Sequence, residues 1–213
     1  LSVSCPPSLT ASSGMDAFTQ LLESYLSTAA NPITDALAYE GLKLVSTSLL
    51  TSYYTGENVE ARSKMALASY LSGITLANAG LGLVHGFASS IGGYFDIPHG
   101  IICSSLMAAA NLVTVRKLRS EKVNKEAIHK YAAIGKLFSQ TKDMPADYYI
   151  DSFLSLLSDW TIQLNIPSLS QCGVSQPDYT KIIDASDNKN NPVPLNHGEM
   201  IEVLERASNR AQN

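Results

Sequence analysis

Between Met65 and Val115 the chain carries one charged side chain, Asp96. So long an uncharged stretch has to be buried, either in a bilayer or in a protein core. The run Met65–Phe95 is long enough to span a bilayer. Six Gly, four Ser, Thr75, Asn78 and His85 interrupt it, however, and leave no 18-residue stretch purely apolar. It is therefore expected to form two closely packed, buried helices, broken near Gly80–Gly82. No basic segment followed by an apolar one opens the chain, so no signal peptide is visible and no membrane partner is expected.

The rest of the pattern is helical. Gly14–Ser27 is the first clear helix. Asn31-Pro32 pairs an N-cap residue with Pro at the first helical position and starts a helix running to about Tyr54, stopped at Gly56. Helices follow at Glu57–Ala79 and Leu83–Phe95, and Pro98 opens another with His99 in its first turn. Further helices are expected at Lys125–Ser139, Pro145–Leu164, Gln176–Ala185 and Asn196–Ala211, the last with capping-box spacing. Ser120–Asn124 and Asp187–Pro194 read as polar connections. Only Leu1–Ser4 has any strand character. The 213 residues suffice for one all-α domain, a helical bundle with a substantial core. A net charge of −4 gives no electrostatic footprint for nucleic acid. Cys5, Cys103 and Cys172 are odd in number and widely spaced, as expected of reduced thiols in a cytoplasmic protein.

Two histidines, His85 and His99, lie inside the uncharged run, in LVHGFASSIGGYFDIPHG. Neutral imidazole is the commonest metal ligand and a frequent proton carrier, although a core histidine bonded to a backbone carbonyl is the plainer alternative. Near the N-terminus, in GMDAFTQLLE, Asp16 and Gln20 are four apart and share one face of a helix. Ser13 and Asp16 also have the form of a capping box, in which Asp16 would only satisfy backbone amides. Gln20 could equally be a solvated helix residue. One carboxylate and two imidazoles from Asp16, His85 and His99 make a ligand set for mononuclear Fe(II) or Zn(II) with open positions. Helical bundles build such sites from inward-facing side chains. His129, among Lys125, Glu126 and Lys130, and His197, in the first turn of the last helix, have no partner at ligand spacing. Tyr148, Tyr149 and Trp160 read as core or interface aromatics, and Asp35 and Glu40 as surface acids.

The segments GMDAFTQLLESY, VHGFASSIGGYFDIPHG and NNPVPLN together resemble the iron-containing (group III) alcohol dehydrogenase family. The resemblance covers nearly the whole chain but only the C-terminal helical half of a family member, whose fold is dehydroquinate-synthase-like. It implies a metal held at Asp16, Gln20, His85 and His99, with Gln20 standing where the family pattern has His. A carboxamide oxygen is a harder and weaker donor than imidazole for a transition metal. Glycerol dehydrogenases, a related family, are similar in using one acid and two histidines with an open position. Ser89 occupies the place of a further family histidine thought to relay protons. A hydroxyl there passes a proton only through water.

Neither a G-x-G-x-x-G motif nor a P-loop occurs in the chain. The resemblance implies that NAD(P) is bound mainly by an N-terminal nucleotide-binding α/β domain, absent from this chain. The expectation is the C-terminal part of a longer NAD(P)-dependent enzyme acting on a small alcohol, aldehyde or ketone. This chain alone is then inactive, its partner is the N-terminal domain of the same protein, and a homodimer is compatible with it. Two other readings stay open. One is a fragment of a dehydroquinate-synthase-like lyase. The other is a non-catalytic helical scaffold or interaction domain that has lost metal binding, which Gln20 and Ser89 favour.

Overall fold

The computed structural model describes residues 2–209. Among them the regular elements are all helical: α1 (Pro7–Leu26), α2 (Pro32–Tyr54), α3 (Val59–Ala79), α4 (Leu83–Tyr94), α5 (His99–Glu121), α6 (Lys125–Phe138), α7 (Ala146–Gln163), α8 (Tyr179–Asp184) and α9 (His197–Ser208). Short 3-10 turns form at Ser2–Ser4 and Gln176–Asp178. The strand expected at Leu1–Ser4 is therefore a 3-10 turn over Ser2–Ser4, and Leu1 lies outside the described residues. So do residues 210 and 211 of the last predicted helix. Ser120 and Glu121, expected in a connection, close the last turn of α5.

Most helix starts follow local chemistry. Asn31 caps α2 by accepting from the Ile33 and Thr34 amides, and Thr34 returns a bond to the Asn31 backbone, completing a capping box. Asn196 and Glu199 do the same for α9. The main departure is α1, which begins at Pro7 rather than Gly14. Residues 7–13 lack an apolar period, yet Thr10, Ala11 and Ser12 are buried. Small side chains let α1 press close to its neighbours, and tertiary packing overrides the weak local signal. Asp16 consequently sits in mid-helix, so the capping-box reading of Ser13 and Asp16 fails: the amides it would cap already lie within α1.

α1 packs against α2, α3 and α5, and α5 in turn contacts α4, α7 and α9. One face of α1 anchors an aromatic cluster. Phe18 lies 5.3 Å from Phe138 and 5.6 Å from Trp160, and Phe138 lies 5.5 Å from Phe153, ring centre to ring centre. Trp160 and Tyr149 are thus core residues, while Tyr148 is half-exposed. Lys130 reaches the partly buried Asp35 at 2.9 Å, and Glu40 pairs on the surface with Lys43.

The uncharged run divides as expected. α3 and α4 are bent by 97° at the break, where Gly80 adopts φ 69°, a left-handed conformation that favours glycine. α5 is long and apolar enough to cross a bilayer, but 72% of that stretch is buried within the protein, as befits a core helix. The bend is tied from two sides. Ser24 of α1 and Ser27, just past its end, donate to the carbonyls of Gly80 and Ala79. The Asn190 amide donates to the Leu81 carbonyl, and Asn191 bonds Thr114 of α5 and the Val193 carbonyl. The late NNPVPLN segment therefore braces the turn that aims α4.

Candidate metal centre

The bend places His85 in the first turn of α4, buried and facing α1. Pro98 precedes α5 and puts His99 at its first position. α5 comes close to α1 because residue 100 is glycine: a Cβ there would lie 2.6 Å from the Ser12 carbonyl oxygen. Asp16, Gln20 and Glu23 follow one another along a single face of α1, at i, i+4 and i+7.

Three helices thus bring one carboxylate and two imidazoles together. Asp16 Oδ1 lies 3.4 Å from His85 Nε2 and 3.7 Å from His99 Nε2. The two rings are 5.5 Å apart, centre to centre. Cys103, one turn after His99 on α5, adds a sulfur 3.4 Å from His99 Nε2 and 3.7 Å from His85 Nε2. One ligand atom from each of Asp16, His85, His99 and Cys103 lies within 4.8 Å of every other. The site is closed on the α4 side, where His85 is buried, and open on the other, where the His99 side chain is 52% exposed.

The electrostatics concentrate charge at this point. Burial by itself would raise the Asp16 carboxyl, but His85 beside it and the charges of His99 and His85 hold it below the usual carboxylate range. Burial would lower His85, yet Asp16, Cys103 and Glu23 around it push it far above the usual imidazole range. Burial pushes the Cys103 thiol up to about 11 against the lowering effect of His85. Asp16 Oδ1, at the centre of the cluster, is buried and makes no hydrogen bond of ordinary geometry, its nearest imidazole nitrogens lying at 3.4 and 3.7 Å. A buried acceptor costs free energy unless something satisfies it. A cation between Asp16 and the two Nε2 atoms would do so, and the donor set suits a divalent transition metal.

The other predicted positions are nearby with different partners. Gln20 Nε2 donates to Asp16 Oδ2 at 3.2 Å, and Gln20 Oε1 accepts from the Ser72 hydroxyl at 2.8 Å. Ser89 is exposed one turn after His85, and its hydroxyl donates to the His85 carbonyl at 2.8 Å. His129 and His197 are exposed and lie outside the cluster. Sequence reasoning missed two members of the site. Glu23 is buried, with Oε2 2.6 Å from His85 Nδ1 and Oε1 accepting the Val84 amide at 2.7 Å. Its i+7 spacing from Asp16 was a usable signal, as was the i+4 spacing of Cys103 from His99.

The model of the Fe-containing alcohol dehydrogenase family, C-terminal, matches residues 10–208. The chain belongs to that family. It is 31% identical over 208 residues to alcohol dehydrogenase 4 of Saccharomyces cerevisiae, an alignment covering 95% of this chain and 51% of the relative. To 1,3-propanediol dehydrogenase of Citrobacter freundii it is 33% identical, covering 95% of this chain and 51% of that protein. Among solved structures, a 1,3-propanediol oxidoreductase superposes with a TM-score of 0.87 at 29% identity, over 96% of this chain and 53% of the other. The chain therefore spans about half the length of the curated relatives it matches. Both the family and the helical fold expected from the sequence resemblance are borne out.

Proposed function

We propose that this chain is the metal-binding half of an NAD(P)-dependent alcohol dehydrogenase that oxidises small alcohols or reduces the corresponding aldehydes or ketones. The observation that carries this reading is the convergence of Asp16, His85 and His99 from three helices around the unsatisfied Asp16 Oδ1. Membership of the family and the names of the similar proteins supply the reaction class. Bound at Asp16, His85 and His99, a metal would supply Lewis-acid polarisation of an alcohol or carbonyl oxygen, and a nicotinamide cofactor would supply the hydride chemistry.

The chain's own residues do the positioning. Asp16, His85 and His99 hold the metal, and Glu23 keeps the His85 ring turned so that Nε2 faces inward. Gln20 holds the second oxygen of Asp16. The exposed side of His99 is the direction from which substrate enters. Ser89, exposed and one turn from His85, is placed to pass a proton to solvent through water. The chain has no Gly-rich phosphate loop, so nucleotide binding is assigned to another part of the enzyme, the N-terminal domain that the resemblance implies.

The test is reconstitution. Purified protein carrying both halves is stripped of metal, reloaded with Fe(II) under anaerobic conditions or with Zn(II), and assayed with short primary alcohols and NAD+ or NADP+. Metal-dependent alcohol oxidation that disappears, together with bound metal, in His85→Ala is the expected outcome. Metal content and activity both unaffected by His85→Ala would sink the reading and favour a scaffold role for the helical half.

A further inference from the structure

We infer that Cys103 is a metal ligand, completing a four-donor site with Asp16, His85 and His99 that favours Zn2+ over Fe2+. The inference rests on the metal-site reading above and goes beyond it. The fourth donor is a thiolate from α5, and Gln20 on α1 bonds Asp16 and Ser72 instead.

Distances carry the argument. Around a tetrahedral zinc with ordinary bond lengths, two N or O ligand atoms sit about 3.3 Å apart, and an N and an S atom about 3.6 Å apart. The oxygen–nitrogen separations here are 3.4 and 3.7 Å, and the sulfur–nitrogen separations are 3.4 and 3.7 Å. These four of the six separations lie close to what one shared ion demands, and the other two are within 4.8 Å. Cys103 is fully buried and in no disulfide, so its sulfur is held at the cluster by the packing of α5. Gln20 is arranged otherwise. Its amide nitrogen, a donor, faces Asp16, while its oxygen is bonded to Ser72. In this arrangement Gln20 serves Asp16 as a hydrogen-bond donor.

Coordination is not redox here. The metal–sulfur bond forms as the S–H bond breaks, and the proton leaves to buffer. A thiolate makes the site softer than an all-nitrogen-and-oxygen set, which shifts preference toward Zn2+. Exposure of His99 leaves room for a fifth ligand, so the site need not be closed to substrate.

Cobalt(II) is the probe, titrated anaerobically into metal-free protein and followed by absorption spectroscopy. A near-ultraviolet sulfur-to-cobalt charge-transfer band is expected in the unaltered protein and in Gln20→Ala, and is expected to vanish in Cys103→Ser. Losing an outer partner of a ligand costs about 10–100-fold in affinity, so Cys103→Ser should weaken cobalt binding by at least about tenfold on the same scale. Competition between Zn2+ and Fe2+ should favour zinc in the unaltered protein and less so in Cys103→Ser. Circular dichroism of each variant, and Cys103→Ala as a second replacement, separate ligand loss from misfolding. Cobalt bound without the charge-transfer band, or an unchanged spectrum and affinity in folded Cys103→Ser, would overturn the assignment of Cys103 and leave the metal site standing. Unchanged cobalt binding in His85→Ala would instead remove the metal site itself.

Discussion

Glu23 Oε2 lies 2.6 Å from His85 Nδ1, and both groups are buried between α1 and α4. A carboxylate only accepts, so the Nδ1 proton is committed to it and Nε2 is left facing Asp16. The same carboxylate receives the Val84 amide and so fixes the first turn of α4 as well as the ring. Glu23→Ala should therefore do two things at once. Metal affinity should fall by about 10–100-fold, and stability by about 1–3 kcal/mol for the buried donors left unpaired. Calorimetric metal titration and thermal unfolding of the metal-free protein measure the two separately. A stability loss with unchanged affinity would show that Glu23 braces the helix without orienting the ligand.

Gly100 is where α5 meets α1. An added Cβ would lie 2.6 Å from the Ser12 carbonyl oxygen, which is backbone and cannot swing away. Gly100→Ala should push the first turn of α5 off α1 and cost about 1–3 kcal/mol. Because His99 leads that turn, metal affinity should fall as well. Urea unfolding and metal titration of the same variant test the coupling, and an unperturbed affinity would mean that His99 is free to follow α1.

Phe18 points from α1 into the aromatic cluster, on the face away from Asp16, and is fully buried. Phe18→Ala should cost about 3–5 kcal/mol through lost burial and the cavity left behind. The Asp16 face is not removed by this change, so folded Phe18→Ala should still bind metal. Denaturant unfolding gives the first quantity and metal titration at low temperature the second.

Glu202 links α9 to α5 through a two-pronged pair with Arg116, assisted by Arg206. Hydrogen bonding from Arg116 is the main reason its carboxyl is lowered to about 2. A carboxyl lowered in the folded state stabilises that state above the unfolded value, near 4.5, and the stabilisation is lost as pH falls toward 2. Glu202→Gln should flatten this part of the acid limb. At neutral pH its cost should be small, about 1 kcal/mol or less, because Arg116 is half-exposed. Unfolding free energies of the two proteins, compared at pH 7 and across the acid range, decide it. An identical acid limb in the variant would remove the pair as its cause.

Much of this protein is local chemistry and so could be read from the chain alone. Asn31-Pro32 and Asn196 start their helices with bonds made within four residues, and Gly80 breaks the uncharged run through its own backbone freedom. That Asp16, His85 and His99 belong to one site came from the family resemblance, because their spacing along the chain does not by itself show that they meet. Tertiary structure decided what depends on neighbours distant in sequence. α1 extends back to Pro7 because its small residues pack against other helices, which no local propensity reports. Glu23 meets His85 across 62 positions, and Cys103 meets it across 18. The turn of the Gln20 amide, toward Asp16 and Ser72, depends on which hydrogen-bonding groups α3 brings beside α1. Sequence spacing states which side chains share a helix face; only the packing of the helices states which faces meet, and in what orientation the donors arrive.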